Sequence, residues 1–381
     1  MRILYGVAGE GMGHATRSRV FLEDLARDHE ILIVASGRAH DYLARHFSMD
    51  AGSGQARVRP ILGFSLAYED NAIRRWDTVM QNLGGAIAGW PKQLRSYYEV
   101  MKEFDAEVVV SDFESFVLAF ARRGRVPVVT VDNIMMLDRC RHDEGIVDDD
   151  VLDFELARQI ARVKAPGAFH NVIPTFFRPP VRKPRTTLVP PVLRPEVLAA
   201  RAEPGEHLLV YQTATGHETL AQTLRQTGLP CRIYGMRRDL SEDVTDGDLV
   251  YRPFSETTFL DDLRTARGVI AGGGFSLLSE CVFLHKPVLS IPVAGQFEQT
   301  LNARYLDRLE YGLYAPEPSA TVIAHFLDRL PSCERALAGY AQDGNDEALR
   351  VVRGQVELAG ALSMSEAGRP SRRRATEKPA T

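Results

Sequence analysis

The sequence predicts an α/β protein of two domains in series, each built on a mostly parallel sheet covered by helices. Short apolar runs typical of buried strands alternate with helical stretches in both halves of the chain. A proline-rich stretch separates the two halves. The length of 381 residues also exceeds what one hydrophobic core usually supports. Because ligands of open α/β sheets bind beyond the carboxyl ends of the strands, we expect the functional site in a cleft between the domains.

The same patterns predict the domain boundaries. Residues 1–185 are expected to form the first domain, residues 186–206 a proline-rich linker and residues 207–345 the second domain. Residues 346–362 are expected to form a helix that returns to the first domain. Residues 363–381 are rich in Arg, Pro and Ser, a composition typical of a disordered basic tail.

The first domain contains four apolar runs that predict strands, at residues 2–8, 30–35, 107–112 and 126–132. Residues 64–104 differ, because their apolar and aromatic side chains recur at the spacing of amphipathic helices. These helices either pack over the sheet or form one wall of a binding site, and the spacing fits both.

The second domain repeats the alternation. Its apolar runs predict strands at residues 208–211, 232–234, 250–251, 269–271 and 288–291. The two domains are therefore expected to be similar in architecture.

Composition excludes several classes of protein. The net charge of −4 shows no basic excess, which goes against a nucleic-acid binder that depends on phosphate contacts. The four cysteines lie far apart, so neither a zinc site nor a disulfide framework is indicated. The amino-terminal apolar run is too short for a signal peptide, and no stretch approaches the about 20 apolar residues of a membrane-spanning helix. We expect a cytoplasmic protein, with a peripheral membrane contact of the basic tail as an open alternative.

The run Gly-Glu-Gly-Met-Gly-His, residues 9–14, joins the first predicted strand to a helix over residues 15–25. It differs from a dinucleotide-binding fingerprint because His14 replaces the third glycine, and no carboxylate follows about 20 residues later. Arg38 could accommodate a phosphorylated ribose, so that interpretation stays open. A second interpretation is a tight turn that His14 merely caps. The third is a functional imidazole that faces the cleft.

A second glycine-rich turn follows the strand predicted at residues 269–271. Gly272, Gly273 and Gly274 precede Phe275 and Ser276, which begin a helix whose amide groups and dipole can bind a phosphate. No lysine stands where a Walker-type loop requires one, so an ATPase of that kind is not indicated. Glu280 lies one helical turn further and is suited to ribose hydroxyls.

Glu298 and Gln299 begin a helix shortly after the last predicted strand. Together they offer the several acceptors and donors that a polyhydroxylated sugar requires, or they are ordinary first-turn residues. The acidic runs Asp148–Asp150 and Asp261–Asp262 are interpreted as solvated faces and not as a metal site.

These motifs, in this order, resemble the two-domain nucleotide-sugar glycosyltransferases of the GT-B fold, especially the MurG-like and UDP-glucuronosyltransferase-like groups. The resemblance extends to about residue 360. It is strongest to a set of largely uncharacterised prokaryotic glycosyltransferases that share the Gly9–Ser18 start, the Val-Val-Ser-Asp-Phe-Glu run at residues 109–114 and the Val131–Asn133 segment. The resemblance implies two Rossmann-like α/β domains that face each other across a cleft.

It also implies residue roles. His14 would be the general base that deprotonates an acceptor hydroxyl, and Asp112 would orient it. The donor would be a nucleoside diphosphate sugar, most simply a UDP-sugar. Direct displacement by the activated hydroxyl would invert the anomeric centre, and retention is left as an open alternative. The residues assigned to donor binding are Gly13, Thr213, Phe254, Gly273, Gly274, Phe275, Ser276, Glu280, Glu298 and Gln299.

Many glucuronosyltransferase-like relatives carry a histidine where this chain has Gly272, so the nucleotide is less certain than the fold. No metal and no cofactor are expected, and the acceptor is open among small molecules, lipids and glycans. A nucleotide-sugar epimerase and a nucleotide-sugar-binding protein without catalytic activity are the alternatives.

Overall fold

The computed structural model describes residues 1–9, 12–47, 56–61, 92–147, 150–165, 167–212, 217–237 and 239–367. Four sequence-based predictions fall wholly or largely outside these residues. They concern Thr213, the pair Asp148 and Asp149, most of segment 64–104 and the tail beyond residue 367.

The first domain is built on a seven-stranded parallel sheet with the strand order β3-β2-β1-β4-β5-β6-β7. The strands are β1 (Arg2–Val7), β2 (Glu30–Ala35), β3 (Ala56–Pro60), β4 (Val108–Asp112), β5 (Val128–Val131), β6 (His170–Pro174) and β7 (Thr186–Val189). The helices are α1 (Met12–Leu25), α2 (Gly37–His46), α3 (Lys92–Phe104), α4 (Ser115–Gly124), α5 (Met136–Arg139) and α6 (Val151–Lys164). Helix α7 (Pro195–Ala199) follows β7 in the connection to the second domain. The central strands are mostly apolar and almost entirely buried because helices cover both faces of the sheet.

The second domain repeats this plan, with the strand order β10-β11-β9-β8-β12-β13-β14. Its strands are β8 (Leu208–Tyr211), β9 (Cys231–Tyr234), β10 (Val244–Asp246), β11 (Leu249–Tyr251), β12 (Gly268–Ala271), β13 (Val288–Ser290) and β14 (Gly312–Tyr314). Only β10 is antiparallel, and it lies at the edge. The helices that follow are α8 (His217–Thr227), α9 (Glu256–Arg264), α10 (Phe275–Phe283), α11 (Phe297–Arg308), α12 (Ala320–Leu337) and α13 (Asp346–Ala367). The predicted α/β class with two similar sheets is confirmed.

The boundary predicted at residue 185 is too early. Strand β7 lies inside the predicted linker, and it pairs in parallel with β6 as the outer strand of the first sheet. An edge strand tolerates flanking prolines because one side of its backbone needs no partner. The proline-rich composition predicted a linker where the structure has a strand. The connection to the second domain begins after Val189.

The last helix, α13, packs on the first sheet although it follows the second domain in sequence. Ala348, Val352, Val356 and Ala359 form one buried face that joins the first-domain core. Arg353 fixes the helix further, since its Nη2 donates to the backbone oxygen of Asp24 at 2.9 Å. Helix α13 thus returns the chain from the second domain to the first.

The two domains share a hydrophobic core on one side of the cleft. The rings of Phe176 and Phe275 stack with centroids 6.0 Å apart, and those of Phe177 and Tyr305 stack at 4.0 Å. This contact holds the carboxyl ends of the two sheets towards each other. In the part of the chain that the structure describes, no helix is both long enough and apolar enough to span a membrane.

Candidate active site

A cavity of about 700 Å³ lies between the domains, at the carboxyl ends of both sheets. Nine of the predicted site residues line it: Gly13, His14, Phe254, Gly274, Phe275, Ser276, Glu280, Glu298 and Gln299. Asp112 lies directly behind His14, and Gly273 lies directly behind Gln299. The structure therefore brings both predicted halves of the site together, with Thr213 outside the described residues.

His14 and Asp112 meet because their strands are neighbours. Asp112 is the last residue of β4 and pairs in register with Val7, the last residue of β1. Helix α1 begins five residues after Val7, which places His14 in its first turn. The Nδ1 atom of His14 lies 2.7 Å from Oδ1 of Asp112. His14 is 26% exposed and Asp112 is fully buried, so the imidazole faces the cavity and the carboxylate supports it from behind.

Phe113 completes the surroundings of the imidazole. Its backbone adopts a left-handed conformation, with φ of 57°, immediately after Asp112. This places its ring parallel to that of His14, with centroids 6.0 Å apart. A non-glycine residue in this conformation is strained, and such strain is frequent at functional sites.

Asp112 also accepts hydrogen bonds from Arg17 and Ser18. The Nε atom of Arg17 donates to Oδ2 at 3.1 Å, its Nη2 donates to Oδ1, and the Ser18 hydroxyl donates to Oδ2 at 2.8 Å. His14, Arg17 and Ser18 lie three and four residues apart on α1 and therefore share a helix face. Burial opposes the charge of Asp112, but Arg17 and His14 outweigh it and lower the pKa of this carboxyl.

The pKa of His14 is raised above 6.5 by a balance of opposing effects. Burial disfavours the imidazolium, and the nearby Arg17 guanidinium disfavours it as well. The charge of Asp112 and its hydrogen bond favour it and prevail. With Nδ1 directed at Asp112, Nε2 is the nitrogen left for a substrate.

Asp132 is a second buried carboxylate in the cavity wall. It follows β5, and its Oδ1 accepts from the backbone amide of Ile134 at 3.2 Å. Its Oδ2 is buried without a hydrogen-bond partner among the described residues. Arg17 Nη2 lies 3.7 Å from Oδ1. His14, Asp112 and Asp132 place one ligand atom each within 4.8 Å of one another, a spacing that a cation could use, and the guanidinium of Arg17 already lies between the two carboxylates.

On the opposite wall, side chains of α11 hold the second glycine turn. Gln299 Oε1 accepts from the amides of Gly273 and Val293, each at 3.1 Å, and Asn302 Nδ2 donates to the Gly273 oxygen at 3.1 Å. A Cβ atom at Gly273 would lie 2.1 Å from the Gln299 backbone oxygen, whereas a Cβ at Gly274 would meet nothing within 4 Å. Gly274 precedes α10 without a side-chain cap, so the first amides of this helix face the cavity.

Glu280 lies deeper on this wall and forms a buried ion pair. Arg194, from the connection between the domains, donates from Nε to Oε1 at 2.9 Å and from Nη2 to Oε2 at 3.1 Å. Burial raises the pKa of Glu280 although Arg194 opposes this shift. Each carboxylate oxygen of Glu280 keeps a second lone pair for a ligand.

Glu298 lies across the cavity from the first-domain carboxylates Asp112 and Asp132. Burial and then the charge of Asp132 raise its pKa to about 7. Its Oε1 lies 3.5 Å from the Asn302 amide nitrogen that also serves Gly273. The two walls approach each other closely at Gly13, where a Cβ would lie 2.4 Å from Ser276 Oγ.

Sequence reasoning missed Arg17, Asp132 and Arg194 as site residues. The position of Arg17, one helical turn beyond His14, was a usable signal because it predicts a shared face. Asp132 was visible as a polar residue at a strand end. Arg194 had no local signal, since its partner Glu280 is 86 residues away in sequence.

Comparisons with known proteins agree with this architecture. The family model for glycosyl transferase family 1 matches residues 1–331. An uncharacterized glycosyltransferase of Methanosarcina acetivorans is 25% identical over 340 residues, which cover 82% of this chain and 83% of the relative.

Two solved structures have the same fold. LpCGTa in complex with UDP has a TM-score of 0.63 at 14% identity, covering 93% of this chain and 99% of that one. The Streptomyces glycosyltransferase SsfS6 with thymidine diphosphate has a TM-score of 0.55 at 14% identity, with the same coverage. The predicted GT-B fold is confirmed.

Proposed function

Since the chain belongs to glycosyl transferase family 1 and is a glycosyltransferase, we propose that it transfers a sugar from a UDP-sugar to an acceptor hydroxyl, with inversion and with His14 as general base. One observation carries the proposal. His14, supported from behind by Asp112, and Gly274 before α10 line the same cavity from opposite domains.

His14 has the surroundings that a general base requires. Because an ionised Asp112 can only accept a hydrogen bond, the 2.7 Å contact favours the tautomer with a proton on Nδ1, in which Nε2 can accept the proton of a hydroxyl. Asp112 stabilises the imidazolium that forms, and Arg17 and Ser18 keep Asp112 ionised. The acceptor oxygen forms the new bond to the anomeric carbon as its proton moves to Nε2. The old bond breaks, and its electron pair leaves with the diphosphate.

The second domain supplies the donor site in this proposal. The amides at the start of α10, together with the helix dipole, stabilise the diphosphate as it leaves. Glu280 accepts from the ribose hydroxyls, and Glu298 accepts from the transferred sugar. Phe254, which is 58% exposed at the cavity, contacts the base. These groups and Arg17 supply the charges that the reaction needs, so the proposal includes no metal and no cofactor besides the nucleotide sugar.

We propose UDP as the nucleotide because of the position of Glu280 in the donor site. The related structures contain UDP in one case and thymidine diphosphate in the other. Only the first of these has a ribose 2′-hydroxyl for a carboxylate to bind. UDP should therefore bind more tightly than thymidine diphosphate, and Glu280→Ala should remove most of the difference.

The test of the mechanism is the pH dependence of His14. Transfer from UDP-sugars is measured by mass spectrometry, and the anomeric configuration of the product by NMR. We expect kcat/KM to fall as pH drops through the raised pKa of His14, because only the neutral imidazole is a base. His14→Ala should lower kcat by about 10²–10⁴-fold, and Asp112→Asn should move the pH limb downwards.

The proposed mechanism fails if His14→Ala keeps wild-type kcat or if the product retains the donor configuration. Incubation with the UDP-sugar alone serves as a control. An epimer formed without any acceptor would support the epimerase alternative.

A further inference from the structure

Asp132 is a buried carboxylate that the proposed mechanism leaves without a task. Its side chain is 5% exposed, and Oδ1 accepts from the Ile134 amide at 3.2 Å, which caps the helical turn that follows β5. Asparagine and serine cap such turns about as well as aspartate, so the cap does not require a charge. The other oxygen, Oδ2, is closed to solvent and has no hydrogen-bond partner among the described residues. What distinguishes this carboxylate from a neutral cap is therefore its charge, which acts through space.

The charges around His14 do not balance while its imidazole is neutral. Arg17 donates to both oxygens of Asp112 and also lies 3.7 Å from Oδ1 of Asp132, so one permanent cation serves two carboxylates. One negative charge is left over. A ring nitrogen of His14 lies within 4.8 Å of a carboxylate oxygen of Asp132. When the imidazole takes up a proton, the four side chains together become neutral.

Burial makes this balance important. Asp112 is fully buried and Arg17 is 5% exposed, so water and salt screen their charges little. Two further titratable side chains, Tyr5 and Glu298, are close enough to respond to these charges. Burial raises the pKa of Tyr5, which stays neutral, and raises the pKa of Glu298 to about 7. Neither can become a cation, so among the described residues of this cluster His14 is the group that can offset the excess negative charge.

Resting on the proposed function, we infer that Asp132 is a positioning residue for the transfer reaction, and that its charge stabilises the imidazolium that His14 becomes when it takes the acceptor proton. The proton moves from the acceptor hydroxyl to Nε2 of His14, and Asp132 neither gains nor loses one. Asp112 balances Arg17 and orients the imidazole, whereas Asp132 balances the new positive charge. In agreement with this assignment, the charge of Asp132 contributes to the raised pKa of His14.

A histidine NMR titration tests the inference directly, with the His14 signal identified by its loss in His14→Ala. Asp132→Asn keeps an oxygen for the Ile134 amide and removes the charge. The pKa of His14 should therefore fall by about 1–3 pH units, the effect of one opposite charge at this distance. Asp132→Ser removes the same charge with a different capping side chain and should give the same fall. Repeating the titration in a Glu298→Gln background removes the titration of Glu298, and the fall should persist.

Asp143→Asn is the matched control for this titration. It makes the same chemical change at a half-exposed carboxylate, which is paired with Arg308 outside the cavity. Because solvent screens this pair, the pKa of His14 should stay at its wild-type value.

The kinetic consequence is a weaker base. UDP-glucose, UDP-galactose and UDP-N-acetylglucosamine serve as donors, and glycerol and cyclohexanol as acceptors. In Asp132→Asn the acidic limb of kcat/KM should move downwards together with the pKa of His14. On the plateau above this limb, kcat should fall by about 3- to 30-fold with KM nearly unchanged, if roughly half of the proton charge is on the imidazole in the transition state. A residue that only supports the fold would not move the limb.

The titration also separates this inference from the proposed function. If the pKa of His14 falls in both Asp132 variants but no donor is turned over, the electrostatic role of Asp132 stands and the proposed transfer fails. If the pKa keeps its wild-type value in both variants, the inference fails even when transfer is observed. It also fails if the plateau kcat is unchanged, or if neither variant folds, because Asp132 would then be a structural residue.

Discussion

Gly274→Ala should weaken nucleotide binding without unfolding the site. Gly274 has φ of −63° and ψ of 122°, which any residue adopts, and a Cβ there meets no atom within 4 Å. The structural cost is limited to replacing a glycine N-cap by alanine, about 1 kcal/mol or less. The new methyl group extends into the cavity, at the place proposed for the diphosphate.

The expected magnitude follows from the contact that the methyl group blocks. Displacing a phosphate oxygen from one amide removes a charge-assisted hydrogen bond of about 1.5–3 kcal/mol. The Kd of UDP should therefore rise by about 10- to 150-fold. Isothermal titration calorimetry measures this Kd, and urea unfolding without ligand measures stability.

Gly273→Ala is the matched variant because its neighbour is backbone and not open space. Its Cβ would lie 2.1 Å from the Gln299 backbone oxygen, so the start of α11 must move by roughly 1 Å, which costs about 1–3 kcal/mol. We expect this variant to lose both stability and UDP affinity. Unchanged UDP affinity in Gly274→Ala would refute the phosphate site. Equal loss of stability in both variants would refute the difference in packing.

Two further predictions concern Glu280 and Glu298, the two carboxylates that the second domain contributes to the cavity wall beside Glu256. Arg194→Met should lower the free energy of unfolding by about 3–5 kcal/mol because it leaves Glu280 buried and unpaired. The double variant Arg194→Met/Glu280→Met should recover most of this loss. Urea unfolding measures both variants, and a double variant as unstable as the single one would contradict the prediction. The pKa of Glu298, raised from 4.5 to about 7, implies stability that is fully present below pH 4.5 and lost as pH rises through 7. The free energy of unfolding of Glu298→Gln, relative to that of the wild type, should therefore rise by about 1–3 kcal/mol between pH 5 and pH 9. If the free energies of unfolding of the two proteins change with pH in parallel, the pKa of Glu298 is not raised.

The sequence predicted most of the strands that are buried on both faces, because covering helices make such strands largely apolar. Strands β1, β2, β4 and β5 belong to this group. It missed β3, whose arginines are largely exposed at the sheet edge, and β7, which lies between prolines. It also missed β6, which is mostly buried but begins with the polar residues His170 and Asn171. Three-residue edge strands such as β10 and β14 are too short to show a period.

For the site, a motif predicts residues that act locally but not partners that the topology brings together. His14 could be found because its glycine turn is contiguous in sequence. Asp132 came close to His14 only because β5 lies beside β4, and β4 beside β1. The pairing of Arg194 with Glu280 depends on how the connection crosses between the domains. Neither arrangement has a periodic signal in the sequence.

Arg17 determines whether the His14–Asp112 pair can act as a base at neutral pH. A buried carboxylate with an imidazole as its only partner would strongly favour the imidazolium, and a protonated His14 cannot accept a proton. Arg17 donates one hydrogen bond to each oxygen of Asp112, so that the charge of this carboxylate is shared between a permanent cation and a titrating one. Its own charge also opposes the protonation of His14. Asp112 therefore stays ionised and orients the imidazole, while the rise in the pKa of His14 is restrained, as a base working near neutral pH requires.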